Sequence, residues 1–150
     1  MTLPKITIAS RDRALQVYAE HKFVISISGS NEEPPAFNHP DVLFLHFDDI
    51  SDILHAGFVP MRIAQFAELS VFACKIAADP GPVLVHCEQG RSRSSAIAIS
   101  LANILAGPGH EEEIFGQLKA KFPRIKPNKR VIAIADSILE RNGKISRSIR

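Results

Sequence analysis

Short apolar runs rich in β-branched residues recur along the first two-thirds of the chain, and their length predicts strands. These runs cover residues 5–8, 23–28, 42–47 and 82–86. Near-continuous apolar character is typical of strands that are buried on both faces of a parallel sheet. The stretch 29–40, rich in proline, and the acidic stretch 48–59 predict loops between them.

Segments with helical spacing separate and follow these runs. Ser10 predicts the N-cap of a helix over residues 12–21, and a second helix is expected from Pro60 to about Ala78. The predicted buried face of this second helix comprises Ile63, Phe66, Ala67, Ser70 and Cys74. Later helices are predicted over residues 94–105, 110–121 and 129–141.

The order of these elements indicates an α/β protein with a central, mainly parallel sheet flanked by helices. A chain of 150 residues, 45% hydrophobic and 23% charged, suits one core, so we interpret residues 1–150 as a single domain. The net charge of +2 argues against a nucleic-acid partner. We interpret the basic excess from residue 119 onwards as a solvated face and a loose tail, with a weak anion-attracting surface as the alternative.

Cysteine content and the N-terminus bear on location. Two cysteines, Cys74 and Cys87, are too few for a disulfide scaffold, which favours a reducing compartment. The N-terminus lacks the apolar stretch of a signal peptide, and no apolar run is long enough to span a bilayer. We therefore expect a cytoplasmic protein of undetermined oligomeric state. Cys74 is expected to be a small core residue, with a protective disulfide to an oxidised Cys87 as the alternative.

The segment between the last predicted strand and the next helix carries the candidate chemistry. It consists of His86, Cys87, Glu88, Gln89, Gly90, Arg91, Ser92, Arg93 and Ser94. A loop that leaves a strand and opens a helix directs successive backbone N–H groups inward, and the helix dipole adds positive potential. Gly90 permits a tight turn in this loop. We therefore expect an anion-binding loop of phosphate size.

Individual side chains of this segment have expected roles. Cys87 is predicted to be the nucleophile, because helix N-termini and nearby cations stabilise a thiolate. Arg93 offers a planar, permanently charged fork for two phosphate oxygens. Ser94 is predicted to donate a hydrogen bond to the departing sulfur, to act as a helix N-cap, or to do both. His86 is expected to order the loop rather than to act as a general base.

The segment resembles the HC-x5-R-[ST] motif of the cysteine-based protein tyrosine phosphatase superfamily, with matches at His86, Cys87, Gly90, Arg93 and Ser94. The order of strands, acidic loop, helix and motif is similar to that of the compact dual-specificity branch, particularly its small bacterial members. Residues 126–130 also resemble that group. The resemblance implies the tyrosine phosphatase fold, with the phosphate-binding loop between a strand and a helix, and a phosphocysteine intermediate.

The resemblance also implies a general acid on a loop upstream of the cysteine, which protonates the leaving oxygen and then activates water. Asp49 is the first candidate, because the FDDI sequence resembles an Asp-Ile pair in small bacterial relatives. Asp52 is the second candidate and Asp48 the third. Those that do not serve are expected to cap a turn or face water. No metal or other cofactor is expected, because the 6 histidines are scattered without metal-ligand spacing.

The expected substrate is a phosphorylated protein or a small phosphoester. Phosphotyrosine is the first expected class in proteins, and phosphoserine and phosphothreonine are further ones. Arg91 leaves an alternative open, because relatives that act on phosphoinositides or inositol phosphates also carry a basic residue there. The favoured interpretation is that Arg91 pairs with Glu88 or a loop aspartate and stiffens the loop. Two further alternatives are a non-catalytic phosphosite-binding module and a rhodanese-like sulfurtransferase.

Overall fold

The computed structural model describes residues 2–51 and 56–150, so the second-ranked acid, Asp52, lies outside the described residues. Parallel pairing joins β1 (Ile6–Ala9), β2 (Phe23–Ser28), β3 (Val42–His46) and β4 (Val83–His86) into a four-stranded sheet. The order of strands across the sheet is β1-β4-β2-β3. The parallel α/β architecture predicted from the order of elements is confirmed.

Helices cover both faces of this sheet. Their bounds are α1 (Arg11–Val17), α2 (Ile63–Ala78), α3 (Arg93–Ala106), α4 (Glu111–Lys121), α5 (Lys129–Ile138) and α6 (Lys144–Ser148), and a 3₁₀ turn at Tyr18–Glu20 follows α1. Val24 and Leu84, which are partners in the β2–β4 register, pack with α1 on one face. The next pair, Ile25 and Val85, belongs to the larger core on the other face. Both faces are therefore buried, as near-continuous apolar strands predict.

The buried face of α2 differs from the predicted one. Its buried side chains are Phe66, Leu69, Phe72, Ala73 and Ile76, whereas Ile63 is 67% exposed. Cys74 is exposed as well, so the prediction that it is a small core residue is wrong. The helix also begins at Ile63 rather than at Pro60. At this start, Gln65 Oε1 accepts a hydrogen bond from the N–H of the N-cap residue Arg62 at 2.9 Å. Several stripes of α2 are apolar enough to be buried, and packing against the sheet selects among them.

The C-terminal segment is folded and not the loose tail that its charge predicts. It forms α6, in which Ile145 is fully buried. Asp136 accepts hydrogen bonds from the backbone N–H groups of Ile145 and Ser146, both at 2.9 Å, and so satisfies the start of this short helix. Within residues 2–51 and 56–150, no helix is both long and apolar enough to cross a membrane.

The register of the sheet positions the candidate site. Ala9 and Ser26 are both partners of His86, so β1, β2 and β4 reach the same edge at their carboxyl ends. The loops that follow the strands therefore meet at this edge, which is where open α/β sheets bind ligands.

Candidate active site

The loop from β4 to α3 is packed tightly against the end of β1. Gly90 has a φ of +74°, which L side chains rarely adopt, and a Cβ on it would lie 2.7 Å from both Ala9 C and Ser10 N. The N–H of Arg11 donates to the carbonyl of Glu88 at 3.1 Å. These contacts require glycine at position 90 and hold the loop in a compact turn.

Cys87 lies inside this turn and is only 3% exposed. The N–H of Gly90 donates to Cys87 Sγ at 3.3 Å, and Ser94 Oγ lies 3.1 Å from the same sulfur. Two potential donors thus face the sulfur beside the N-terminus of α3. This arrangement is suited to a negatively charged sulfur.

His86 holds the base of the loop. Its Nδ1 donates to the carbonyl oxygen of Cys87 at 2.9 Å, and its Nε2 lies 2.7 Å from Ser26 Oγ. Burial lowers the pKa of His86, and the charges of Arg11 and Arg93 lower it further. The ring is therefore neutral at pH 7, with its proton on Nδ1, and Nε2 accepts from the hydroxyl of Ser26.

Arg93 begins α3 and is held by a residue that sequence reasoning missed. Its Nη1 and Nη2 donate to Glu32 Oε1 and Oε2 at 2.7 and 3.0 Å, and Nη1 also donates to the carbonyl of Phe47 at 3.2 Å. Burial opposes the charge of Arg93, but the hydrogen bonds and the charge of Glu32 outweigh the effect of burial and raise the pKa of Arg93. The same hydrogen bonds hold the pKa of Glu32 below its usual 4.5. Only the position of Glu32 in the sequence could have indicated this role, because it follows β2 at the edge of the sheet where the loops meet.

Asp49 faces the same space from the loop after β3. Its Oδ1 accepts hydrogen bonds from Ser92 Oγ at 2.6 Å and from Asn128 Nδ2 at 2.8 Å. A cavity of about 240 Å³ lies between these elements. It is lined by Glu32, Asp49, Cys87, Glu88, Gln89, Arg91, Ser92 and Arg93. The nucleophile candidate, the arginine and the first-ranked acid therefore share one cavity.

The fold of the chain is similar to that of several solved structures, whereas no protein-family model and no curated protein matches the chain. The human tyrosine phosphatase-like serine/threonine/tyrosine-interacting protein has a TM-score of 0.63 and 21% identity over 87% of this chain and 84% of its own. Tk-PTP in the active form has a TM-score of 0.64 at 16% identity, over 91% and 90%. PTPMT1 in complex with PI(5)P has a TM-score of 0.61 at 18% identity, over 96% and 94%.

The chain has the fold of the tyrosine and dual-specificity phosphatases. The fold implied by the HC-x5-R-[ST] resemblance is therefore confirmed. In this phosphatase fold the motif forms the turn between β4 and α3, as the resemblance also implied.

Asn128 connects the acidic loop to the C-terminal half of this phosphatase fold. Its Oδ1 accepts from the N–H groups of Arg130 and Val131 and caps α5, while its Nδ2 donates to Asp49. Its own N–H donates to the carbonyl of Ser92 at 3.1 Å. From the sequence, Asn128 was noted only as part of segment 126–130, which resembles the small bacterial phosphatases. Its contact with Asp49 was not predicted, because a hydrogen bond across 79 positions leaves no local signal.

The other two aspartates of the loop have different outcomes. Asp48 is 7% exposed and accepts hydrogen bonds from the N–H and hydroxyl of Ser30 at 2.8 and 2.6 Å and from the N–H of Val59 at 2.7 Å. Burial raises the pKa of Asp48, but these hydrogen bonds outweigh burial and lower it. Asp48 thus ties two loops together and does not line the cavity. Asp52 lies outside the described residues.

Arg91 does not have the expected partner. Among the described residues it forms no ion pair with Glu88 or an aspartate; its Nε donates instead to the carbonyl of Arg124 at 3.2 Å. The guanidinium therefore lies along the rim of the cavity, where no carboxylate of the described residues forms an ion pair with it.

Within residues 2–51 and 56–150, no group of three or more His, Cys, Asp and Glu side chains is placed to hold a metal ion.

Gly90→Ala should damage the loop between β4 and α3 and weaken its expected binding of a phosphate-like anion. The positive φ costs an alanine about 1–2 kcal/mol, and the contact with β1 adds to this cost. We expect the free energy of unfolding in urea to fall by more than about 1 kcal/mol and the Kd for orthovanadate to rise at least about tenfold. Gly116→Ala is the control, because Gly116 is exposed in α4 with open space around it. It should leave the Kd unchanged. A Gly90→Ala protein with wild-type affinity would contradict the geometry.

Glu32→Gln should destabilise the protein in a pH-dependent way. A hydrogen bond to a charged group contributes about 1.5–3 kcal/mol, so we expect a loss of that size at pH 7. Because the pKa of Glu32 is lowered from 4.5 in the folded state, its contribution is complete above that value and is lost as pH falls through the folded pKa.

Urea unfolding of wild type and Glu32→Gln should therefore differ at pH 7 and converge towards pH 3. Glu33→Gln, an exposed neighbour, is the matched control and should differ little from wild type at either pH. An equal difference at both pH values would show that the charge of Glu32 is not what holds Arg93.

Proposed function

We propose that this chain is a phosphomonoester hydrolase that acts through a phosphocysteine intermediate, with phosphotyrosine in proteins as the first substrate class and phosphoserine and phosphothreonine as further ones. The supporting observation is that Cys87, Arg93 and Asp49 line one cavity of about 240 Å³ at the carboxyl edge of the sheet. The phosphatase fold supports the same reaction class. We place this activity in the cytoplasm and in a single domain.

In the proposed first step, the Cys87 thiolate attacks phosphorus, so that an S–P bond forms and the ester P–O bond breaks. Asp49 transfers its proton to the leaving oxygen. Both described hydrogen bonds of Asp49 use Oδ1, so we assign proton transfer to Oδ2. The backbone N–H groups of the loop stabilise the non-bridging oxygens in the transition state.

Arg93 is arranged to take part in this stabilisation. Within the described part of the chain, its buried Nε has no hydrogen-bond partner, although Nη1 and Nη2 are bound by Glu32. A buried, charged donor without an acceptor is costly, and a phosphate oxygen would supply the acceptor. Glu32 thereby fixes the plane of the guanidinium while one edge serves the phosphate.

In the proposed second step, the Asp49 carboxylate takes a proton from water as the water oxygen attacks phosphocysteine. The S–P bond breaks and inorganic phosphate forms. The hydroxyl of Ser94, 3.1 Å from Cys87 Sγ, donates to the departing sulfur and stabilises it as a thiolate. The enzyme is then ready for another turnover.

Phosphoinositides or inositol phosphates are the second candidate substrate class. Arg91 lines the cavity without an acidic partner among the described residues, which favours a substrate with additional phosphates. PTPMT1, whose structure was solved with PI(5)P, has a similar fold at 18% identity. A non-catalytic phosphosite-binding module is less well supported, because nucleophile, arginine and acid are all present. The phosphatase fold also argues against a sulfurtransferase.

Hydrolysis of para-nitrophenyl phosphate without added metal tests the reaction class. Wild type should turn over and be inhibited by orthovanadate, whereas Cys87→Ser should lose more than about 10⁴-fold in kcat, since removal of a nucleophile is that costly. Cys74→Ser is the matched control, because Cys74 is exposed on α2, and it should keep wild-type activity.

Two results would reject the proposal. Activity that survives Cys87→Ser would remove the phosphocysteine route. A folded wild type that binds orthovanadate but hydrolyses no phosphoester would favour the phosphosite-binding module.

Asp49→Asn tests the general acid. Loss of a proton donor costs about 10²–10⁴-fold, and the loss should be largest for substrates whose leaving oxygen is most basic. We therefore expect kcat/KM to fall much more for phenyl phosphate than for para-nitrophenyl phosphate. Asp52→Asn should keep the wild-type ratio of the two substrates. If Asp52→Asn alone changes that ratio, the assignment of Asp49 is wrong.

A further inference from the structure

A second, larger cavity of about 680 Å³ adjoins the proposed catalytic cavity, and Arg91 lines both. Its walls come from α4, α5, the segment 123–127 and the C-terminal residues. Phe115, Ile125 and Ile132 form an apolar floor and are 5%, 3% and 2% exposed. A recessed apolar floor of this size is typical of a ligand pocket.

The wall of this cavity is strongly basic. Its cationic residues are Arg91, Lys119, Arg124, Lys126, Lys129 and Arg150, and no Asp or Glu occurs among the described lining residues. Arg150 pairs with Glu112 outside the cavity. Arg124, Lys126 and Lys129 are exposed and form no ion pair with any residue in the described ranges. The positive charge of these three residues is therefore concentrated here, and no carboxylate of the described residues pairs with it.

We propose that this basic cavity binds the segment of a protein substrate that adjoins the phosphorylated residue, and that the segment carries acidic residues and one large apolar side chain. This inference rests on the proposed phosphatase function. Carboxylates would contact Lys126 and Lys129, while the apolar side chain would reach the floor at Ile132. The cavity would thus select among phosphoproteins by the sequence beside the phosphorylated residue.

The shared Arg91 carries the spatial part of the argument. A phosphorylated residue whose phosphate lies at Cys87 has its chain neighbours at the rim, where Arg91 separates the two cavities. An extended peptide advances about 3.3 Å per residue, so the next few residues on one side can occupy the basic cavity. Both peptide directions are compatible with this geometry.

The shape of the cavity favours a peptide over a lipid surface. A membrane-binding face places large apolar side chains outermost among its cations. Here the apolar residues are recessed, and the exposed large hydrophobic side chains in the described ranges lie outside the cavity lining; they are Leu15, Phe44, Phe58, Ile63, Val71 and Ile138. A single side chain that projects from a peptide can reach such a floor, whereas a bilayer surface cannot.

The test uses phosphotyrosine peptides of equal length, with flanks of Glu and Leu or of Gly and Ser, on either side of the phosphorylated residue. For wild type, kcat/KM should be at least about tenfold higher with one of the acidic flanks, equivalent to about 1.4 kcal/mol. In Lys126→Glu/Lys129→Glu this ratio should fall to about 2 or less, mainly through KM. Taking the ratio within each protein cancels effects on the chemical step.

A control variant has the same change in net charge. Lys5→Glu/Lys144→Glu alters two exposed lysines outside the basic cavity and should keep the wild-type ratio. Equal kcat/KM for both flanks in wild type, or the same loss of ratio in both double variants, would overturn the inference. Each peptide is also titrated into the Cys87→Ser protein by fluorescence anisotropy, so flank selectivity is measured even without turnover.

Two further arms separate the remaining possibilities. Phosphatidylcholine vesicles with PI(5)P test a lipid surface; if Lys126→Glu/Lys129→Glu impairs only lipid hydrolysis and leaves peptide selectivity intact, the inference is wrong. Para-nitrophenyl phosphate tests the reaction class alone. If para-nitrophenyl phosphate is hydrolysed but the peptides show no flank selectivity, the docking cavity is rejected and the phosphatase proposal stands. If the peptides bind with flank selectivity but nothing is hydrolysed, the phosphatase proposal is rejected and the docking cavity stands.

Discussion

The parallel register of the four strands is the constraint on which the site depends. Because every strand runs in the same direction, the loops after β1, β2, β3 and β4 leave the sheet at one edge. The loop after β1 packs on Gly90, and the loop after β2 carries Glu32. The loop after β3 carries Asp49, and the loop after β4 contains Cys87. Residues far apart in sequence thus share one small cavity, and the apolar core behind it keeps the strand ends in position.

Burial of a permanent charge explains the polar contacts around Arg93. Arg93 is only 6% exposed, and removing such an ion from water costs several kcal/mol unless it is paired. Glu32 supplies the opposite charge, and the carbonyl of Phe47 accepts a further hydrogen bond. The pair leaves Nε directed to no acceptor among the described residues. The protein therefore neutralises its arginine while keeping one donor for an anion.

The sequence was sufficient for features encoded locally. Short apolar runs predicted the strands, and the segment from His86 to Ser94 predicted an anion-binding loop. The tyrosine phosphatase fold was implied by the resemblance of that segment to the HC-x5-R-[ST] motif. Glu32 and Asn128 were missed, because each acts through a partner dozens of positions away. The prediction of the buried face of α2 was wrong for a related reason. Helical spacing alone did not distinguish the apolar stripe that packs on the sheet from the stripe that includes the exposed Ile63.

The C-terminal half does more than cover the sheet. Asn128 caps α5 and holds Asp49 with one side chain, so the position of this proposed acid is coupled to the folding of a helix whose cap lies 79 residues further along the chain. The segment just before this cap, residues 123–127, also walls the basic cavity, and Arg124 fixes Arg91 through its carbonyl. One connection between α4 and α5 thus orients the proposed acid and a loop cation, and it walls the proposed docking cavity. Under the proposed function, changes in this connection would alter substrate choice without touching Cys87, which gives the fold a way to vary specificity while the proposed chemistry is retained.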